Sequence, residues 1–378
     1  MTTARGGTAR ATVTQQERGR GCGPGRDARR STGAALLLAA TLGAATLGTA
    51  ALITGCDDGG NGDAPGDDAS RDVNRRDYPL DDVLRFNEIV MRCTHNSYHI
   101  APAFPFDASH EYTHDPLDVQ LGEHGVRAFE LDIHFGAEFP VLHIPIIDPL
   151  TTCATLGECL ETIAGWSELN PDHHMIVVWI EIKDELSNGT ITDYDALDGV
   201  IRGSIGEERI YTPDDFQRGY ESPRAALEAE GWPTLGETRG RVMFVLLDVD
   251  EPHSPGYTSN FTTLEGRAMF ARATRSQYGM PWAVVAKINN PSDGESIAEA
   301  LEAGMLVASN VGGAASSDES NAAKLADGLR NGSHMLCDDF PAPVEGREYV
   351  LDIPGGVPSA CNAVTASASC VAEEIEQL

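Results

Sequence analysis

The feature that most constrains the fold is an unbroken apolar run, Met175-Ile176-Val177-Val178-Trp179-Ile180, closed by Glu181. It has no polar face. Such a strand must be covered on both sides, as in a parallel sheet packed between helices. Comparable runs lie at Glu88–Cys93, Val126–Ile133, Arg241–Leu247, Trp282–Ile288, Met305–Ser309 and, as the last strand, Ser333–Cys337. Between them Asp115–Glu123, Leu156–Leu169, Tyr194–Ile205, Ser296–Ala303 and Asn321–Arg330 carry helical spacing or helix-boundary signals. Strands alternating with helices predict an α/β fold with a parallel sheet. A strand count near seven or eight favours a closed, distorted TIM (β/α)8-like barrel over an open sheet. Residues 188 to 240 are the least regular part. No internal linker or fixed-period repeat divides the chain, so residues 78–378 are expected to form a single domain.

The first 77 residues read differently. Arg26, Arg29 and Arg30 precede an apolar run from Ala34 to Ile53, followed by Thr54-Gly55-Cys56. A basic start, an apolar middle and small residues before a cut describe a secretory signal over residues 1–55. The ending resembles a bacterial lipobox, which implies cleavage before Cys56 and its lipidation. The Gly- and Asp-rich stretch from Asp57 to Asp68 begins a flexible acidic tether, residues 56–77. The expected product is an exported lipoprotein, anchored in the periplasm or at the cell surface.

The chain carries a formal net charge of −31. Such a field repels nucleic acid and attracts divalent cations. Neither a nucleic-acid partner nor a protein partner is predicted. Six cysteines follow Cys56, an even number that permits disulfides in an exported protein. Cys153 with Cys159 and Cys361 with Cys370 are the favoured local pairs, leaving Cys93 and Cys337 over. Fifteen pairings remain formally open.

The chemistry-bearing residues sit at or just beyond strand ends. They are His95-Asn96, Glu130, Asp132, His143 and Glu181. One rim of a parallel barrel is the usual place for catalysis. Two histidines suit a reaction needing a base on one side and an acid on the other. Glu130 and Asp132 are two apart and share a strand face. With Asn96 and Glu181 they form a set of hard oxygen donors, which prefers Ca²⁺ or Mg²⁺ to Zn²⁺. Lys183 shares a face with Glu181 and can meet an anionic oxygen. Asp339 closes the last strand and can orient His95. His99, His110, His114, His124, His134, His173 and His174 read as structural or solvated.

In this order, Cys93-Thr94-His95-Asn96-Ser97-Tyr98-His99, Glu130-Leu131-Asp132, His143 and Ile180-Glu181-Ile182-Lys183 resemble the Ca²⁺-dependent phosphatidylinositol-specific phospholipase C family, in its bacterial secreted branch. Tyr211-Thr212-Pro213-Asp214-Asp215, Gly231-Trp232-Pro233-Thr234-Leu235 and Asp339-Phe340-Pro341 extend the likeness, which runs from about Leu84 to Asn362. The resemblance implies that Asn96, Glu130, Asp132 and Glu181 bind Ca²⁺. It implies His95 as general base, His143 as general acid, and Lys183 at the phosphate. The substrate would be a phospholipid or another phosphodiester, met at the membrane to which the lipid anchor holds the protein.

The chain also departs from the pattern. Relatives tend to carry two arginines where this sequence has Ala308 and Asn310. Lys287, on an earlier strand, is the best replacement. The expected outcome is a diesterase with a shifted substrate preference. Two other readings stay open: a glycerophosphodiesterase or sphingomyelinase D-like enzyme, and a surface-anchored binding protein without activity.

Overall fold

A computed structural model of the chain describes residues 78–184, 193–248, 252–355 and 358–376. The signal, the tether and the Cys56 lipidation site lie outside these residues. Ten strands are described: β1 (Ile89–Thr94), β2 (Val126–Ile133), β3 (Ile176–Ile182), β4 (Ile210–Tyr211), β5 (Val242–Leu247), β6 (Met269–Ala271), β7 (Val285–Lys287), β8 (Leu306–Asn310), β9 (Met335–Asp338) and β10 (Ser359–Cys361).

Strands β5, β3, β2, β1, β9, β8 and β7 follow one another in a parallel sheet, and β6 adds to β5. A single parallel bridge between Arg272 and Val285 joins the β6 side to β7 and closes the circuit. The result is a distorted eight-stranded TIM-like barrel with one thin seam. β4 pairs with β5 outside that circuit, and β10 runs antiparallel along β1.

Period-two alternation divides the apolar residues into two cores. Cys93, Ala128, Val177, Trp179, Met243, Val245, Val285, Ala308 and Cys337 pack inside the barrel. Phe129, Leu131, Val178, Ile180, Phe244 and Leu246 face outward and are covered by Leu156, Leu160 and Ile163 of the helix Leu156–Leu169, and by Leu197 and Ile201 of the helix Tyr194–Ile205. This two-sided burial is why Met175–Ile180 needs no polar face. Thr155, Asp193 and Ser317 cap the N-termini of the longest helices through side-chain bonds to the third helical N–H.

Cys93 and Cys337 are Cα partners in the β1–β9 register and form a disulfide inside the barrel. They are therefore not left over, as the local-pairing argument had them. The two local pairs, Cys153–Cys159 and Cys361–Cys370, are present. Ser333–Cys337 is not the last strand either, because the three residues of β10 follow it. The irregular stretch holds β4 and three short helices, Pro213–Gln217, Pro223–Glu230 and Leu235–Thr238.

Candidate active site

The inward rows of β2 and β3 carry the site. Glu130 and Asp132 continue the row of Ala128 into the upper barrel, and Glu181 continues that of Trp179. The register pairs Asp132 with Glu181 directly. One carboxylate oxygen from each of Glu130, Asp132 and Glu181 lies within 4.8 Å of the others. Glu130 and Asp132 are buried, and Glu181 is partly exposed.

Two ammonium groups share this cluster. Lys183 Nζ lies 3.1 Å from Glu181 Oε1 and 3.4 Å from Asp132 Oδ2. Lys287 ends β7 and donates to Glu130 Oε2 from inside the barrel. Three carboxylates therefore face two lysines. Burial pushes Asp132 up to about 7; Lys183 opposes that shift, and Glu181 and Glu130 reinforce it. Burial also works against ionisation of Glu130, but Lys287 and His95 outweigh it and hold the carboxyl below its ordinary range.

The donor chemistry fits a hard divalent cation. Both Asp132 oxygens are buried, and the long contact from Lys183 at 3.4 Å is the closest charge partner they have. A buried carboxylate so weakly compensated is costly, and a cation shared with Glu130 and Glu181 would lower that cost.

His95 stands one residue past β1, beside this cluster. Its Nδ1–H donates to Asp339 Oδ1 at 3.0 Å, and its Nε2 lies 4.0 Å from Glu130 Oε1. Crowding around the ring disfavours its charge, but the Asp339 bond and the Glu130 carboxylate lift its pKa to about 9. Asp339 is itself fixed by the Ala314 N–H, at 2.8 Å from Oδ2. Gly312 makes room for the neighbouring acid, since a Cβ there would lie 1.8 Å from Asp338 Oδ2.

Asn96 turns the chain after His95 with φ 42, a left-handed conformation that asparagine tolerates better than most residues. Ser97 then ties this turn to β2. Its N–H donates to Glu130 O, and its hydroxyl accepts from the Glu130 N–H. The turn is thus stitched to the strand that bears two of the carboxylates.

His143 lies in a second cluster. It sits on the extended excursion after β2, where Val141 bridges Ile133. Its Nδ1–H donates to Asp148 Oδ2 at 2.9 Å, and His99 Nε2 lies 2.9 Å from both Asp148 oxygens. The His110 ring meets the His143 ring edge-on at 5.4 Å. Burial lowers the His143 pKa, the Asp148 bond opposes this, and the Lys183 charge adds to the lowering. Among the described residues, His143 has no hydrogen bond or ion pair to the three-carboxylate cluster. Sequence reasoning missed Asp148 and placed His99 and His110 among the structural or solvated histidines. The close spacing of His143 and Asp148 was the one available signal.

Ala308 and Asn310 stand on the same face of β8. Ala308 is fully buried and pairs with Lys287 across the ladder, so its small side chain leaves room for the lysine. Asn310 lines a cavity of about 110 Å³ with His95, Glu130, Glu181, Arg272, Lys287 and Asn289. Its Oδ1 is buried without a hydrogen bond.

A family profile described as "Phosphoinositide phospholipase C, Ca2+-dependent" matches residues 135–363, more than half of the chain. The chain belongs to that family. It is a phosphodiesterase of the phospholipase C type, from a calcium-dependent family. Among solved structures it is similar in fold to the calcium-dependent phosphoinositol-specific phospholipase C of a Pseudomonas species. That match has TM-score 0.54 and 16% identity, and covers 75% of this chain and 97% of the other. A structure of the Pseudomonas protein described as a myoinositol complex matches with the same values. The phosphatidylinositol-specific enzyme of Streptomyces antibioticus matches with TM-score 0.52 and 17% identity, covering 68% of this chain and 95% of the other. Among curated proteins, no sequence matches this chain.

Proposed function

We propose that this phospholipase C family member cleaves the phosphodiester of a membrane lipid with Ca²⁺, by acid/base chemistry shared between His95 and His143. The observation that carries the reading is the junction of the His95–Asp339 pair with three converging carboxylates, the most buried of which has only the long Lys183 contact to offset its charge. Asn96, Glu130, Asp132 and Glu181 would hold the cation. When bound, it supplies a Lewis acid that acidifies the attacking hydroxyl and neutralises phosphate charge.

The protein groups do the rest. Asp339 holds the His95 Nδ1–H, which turns Nε2 toward the site; a cation bound at Glu130 would offset the carboxylate charge that lifts the His95 pKa and so free Nε2 to take the proton of the attacking hydroxyl. Asp148 holds the His143 Nδ1–H in the same way, which leaves Nε2 to protonate the departing oxygen. The attacking hydroxyl belongs to the headgroup, so its new P–O bond closes a cyclic phosphodiester as the bond to the lipid oxygen breaks; in a second step the roles reverse, and water opens that ring. Lys183 stands beside Asp132 and Glu181 and steadies phosphate charge.

Two features bear on the substrate. Phe104, Phe106 and Ile146 are 92%, 81% and 95% exposed, on the loops that also carry His99, His110, His143 and Asp148. The Ile100 N–H donates to Leu150 O and holds the two loops together. Ile146 has φ 72, a costly conformation for a β-branched residue. This apolar rim favours a substrate met at a lipid surface, in keeping with an exported, lipid-anchored protein. The neutral pair of buried Ala308 and half-buried Asn310 favours a headgroup other than one read by two arginines.

The test is a panel of phosphatidylinositol, glycerophosphodiesters and sphingomyelin, with and without Ca²⁺, with products identified. Ca²⁺-dependent cleavage is expected, with phosphatidylinositol not the best substrate. His95→Ala and His143→Ala should each lower turnover by about 10²–10⁴ while the protein stays folded. Full activity in both folded variants would sink the mechanism.

A further inference from the structure

The cluster around His143 holds one more imidazole than an acid catalyst requires. Asp148 is fully buried and already has two partners, His99 and His143. His110 is buried against them without a hydrogen bond to explain it. Its Nδ1 is enclosed with no partner, and its Nε2 stops 4.0 Å from Asp148 Oδ2. One ligand-capable atom from each of His110, His143 and Asp148 lies within 4.8 Å of the other two.

We propose that His110, His143 and Asp148 form a second metal site, for a borderline divalent cation of the Zn²⁺ class, and that its occupation switches off the enzyme. Two imidazoles and one carboxylate are a zinc-type donor set; the all-oxygen cluster on β2 and β3 is a calcium-type set. Metal–ligand bonds of about 2.0–2.1 Å place tetrahedral ligands about 3.3 Å apart. The His143–Asp148 separation of 2.9 Å and the His110–Asp148 separation of 4.0 Å bracket that spacing. His99 supplies the outer support such sites use. Its Nε2 lies 2.9 Å from both Asp148 oxygens, and its Nδ1 lies 3.0 Å from Tyr112 O, which fixes the ring on both sides. The His143 side chain is 22% exposed, which gives a cation access and leaves the fourth position to water.

The consequence for catalysis rests on the acid role proposed for His143. A cation at Nδ1 displaces the proton now donated to Asp148. Binding to the imidazolium form that serves as acid therefore releases the Nδ1 proton and leaves a neutral ligated ring with its one proton on Nε2. An imidazolium and a metal cannot share that nitrogen. The ring keeps only an N–H far less acidic than an imidazolium, so the departing oxygen goes unprotonated.

The test uses tag-free protein with Ca²⁺ in excess, titrated with Co²⁺ as a spectroscopic probe and then with Zn²⁺. One equivalent of Co²⁺ should give the visible band of a tetrahedral N/O site, and Zn²⁺ should bleach it. His110→Phe fills the same space without a ligand atom, and His110→Asn is a second variant in case the first misfolds. Either should lose the band and weaken Zn²⁺ binding by at least about tenfold. Zn²⁺ should inhibit the parent enzyme, and the His110 variants should keep basal turnover and escape inhibition. An undiminished band in the variants, or no band in the parent, overturns the site. Zn²⁺ inhibition that persists in the variants overturns the switch. A chain inactive on every diester refutes the proposed function, while the Co²⁺ band still decides the metal site.

Discussion

His334 should make this barrel lose stability in mild acid. It immediately precedes β9 at the lower end of the barrel, where it joins three segments. Its backbone bonds Met91 of β1 and Val307 of β8. Its ring is used from both sides: Nδ1 accepts from the Val307 N–H at 2.9 Å, and Nε2–H donates to Asn87 O at 2.9 Å. A second ring proton would have to point at an N–H. Burial therefore lowers the pKa to about 4, against the small opposing effect of the Asn87 bond. The unfolded chain titrates near 6.5. Below that pH the unfolded state gains a proton that the native state refuses, so stability falls as pH falls toward 4. The slope is about 1.4 kcal/mol per pH unit, and the sum over the interval is about 3.4 kcal/mol. His334→Gln removes this group while keeping a donor and an acceptor. Urea unfolding of both proteins from pH 7.5 to 4.5 is the assay, and their difference cancels every other titrating group. The variant should be the less stable at pH 7.5, by about 1–3 kcal/mol. That deficit should shrink or reverse by pH 4.5. A difference constant with pH would refute the reasoning.

Three further outcomes follow from the geometry. Phe104→Ser with Ile146→Ser should lower turnover on lipid vesicles severalfold and leave a soluble phosphodiester unaffected; equal loss on both would remove the rim from the substrate argument. Asn310→Arg, which faces the cavity, should raise the relative turnover of phosphatidylinositol. Ala308→Arg, buried beside Lys287, should instead destabilise the protein by more than the about 1–3 kcal/mol of simple overpacking, read by thermal unfolding. Replacing Cys93 and Cys337 together by Ala opens a 244-residue separation and should cost up to about 5 kcal/mol in denaturant titration, with no loss at all refuting a role in stability.

Long periodic elements were legible in the sequence because their whole length repeats one signal. Val126–Ile133, Leu156–Leu169 and Tyr194–Ile205 have the bounds their patterns predict. β4, β6 and β10 were not legible, since two or three residues cannot establish a period. The Cys93–Cys337 pair needed the register of two neighbouring strands far apart in sequence, and local spacing offers no access to that. Strand parity was enough to bring Glu130, Asp132 and Glu181 together, because side chains two apart on one strand, and directly paired ones on the next, must share a face.

The two histidines mark the limit of that reasoning. His95 follows a strand, so the barrel fixes it, and its partners are placed by strands too: Glu130 within β2 and Asp339 one residue past β9. His143 leaves the barrel on a loop, and its partners come from two loops whose course no strand pattern encodes. One arm of the proposed chemistry is therefore held by the sheet and the other by the loop residue Asp148 with His99 behind it. The sheet-held arm is rigid and committed to one geometry. The loop-held arm has a spare imidazole and an accessible ring, so the regulation proposed for a second cation would enter there without disturbing the carboxylates proposed to hold Ca²⁺.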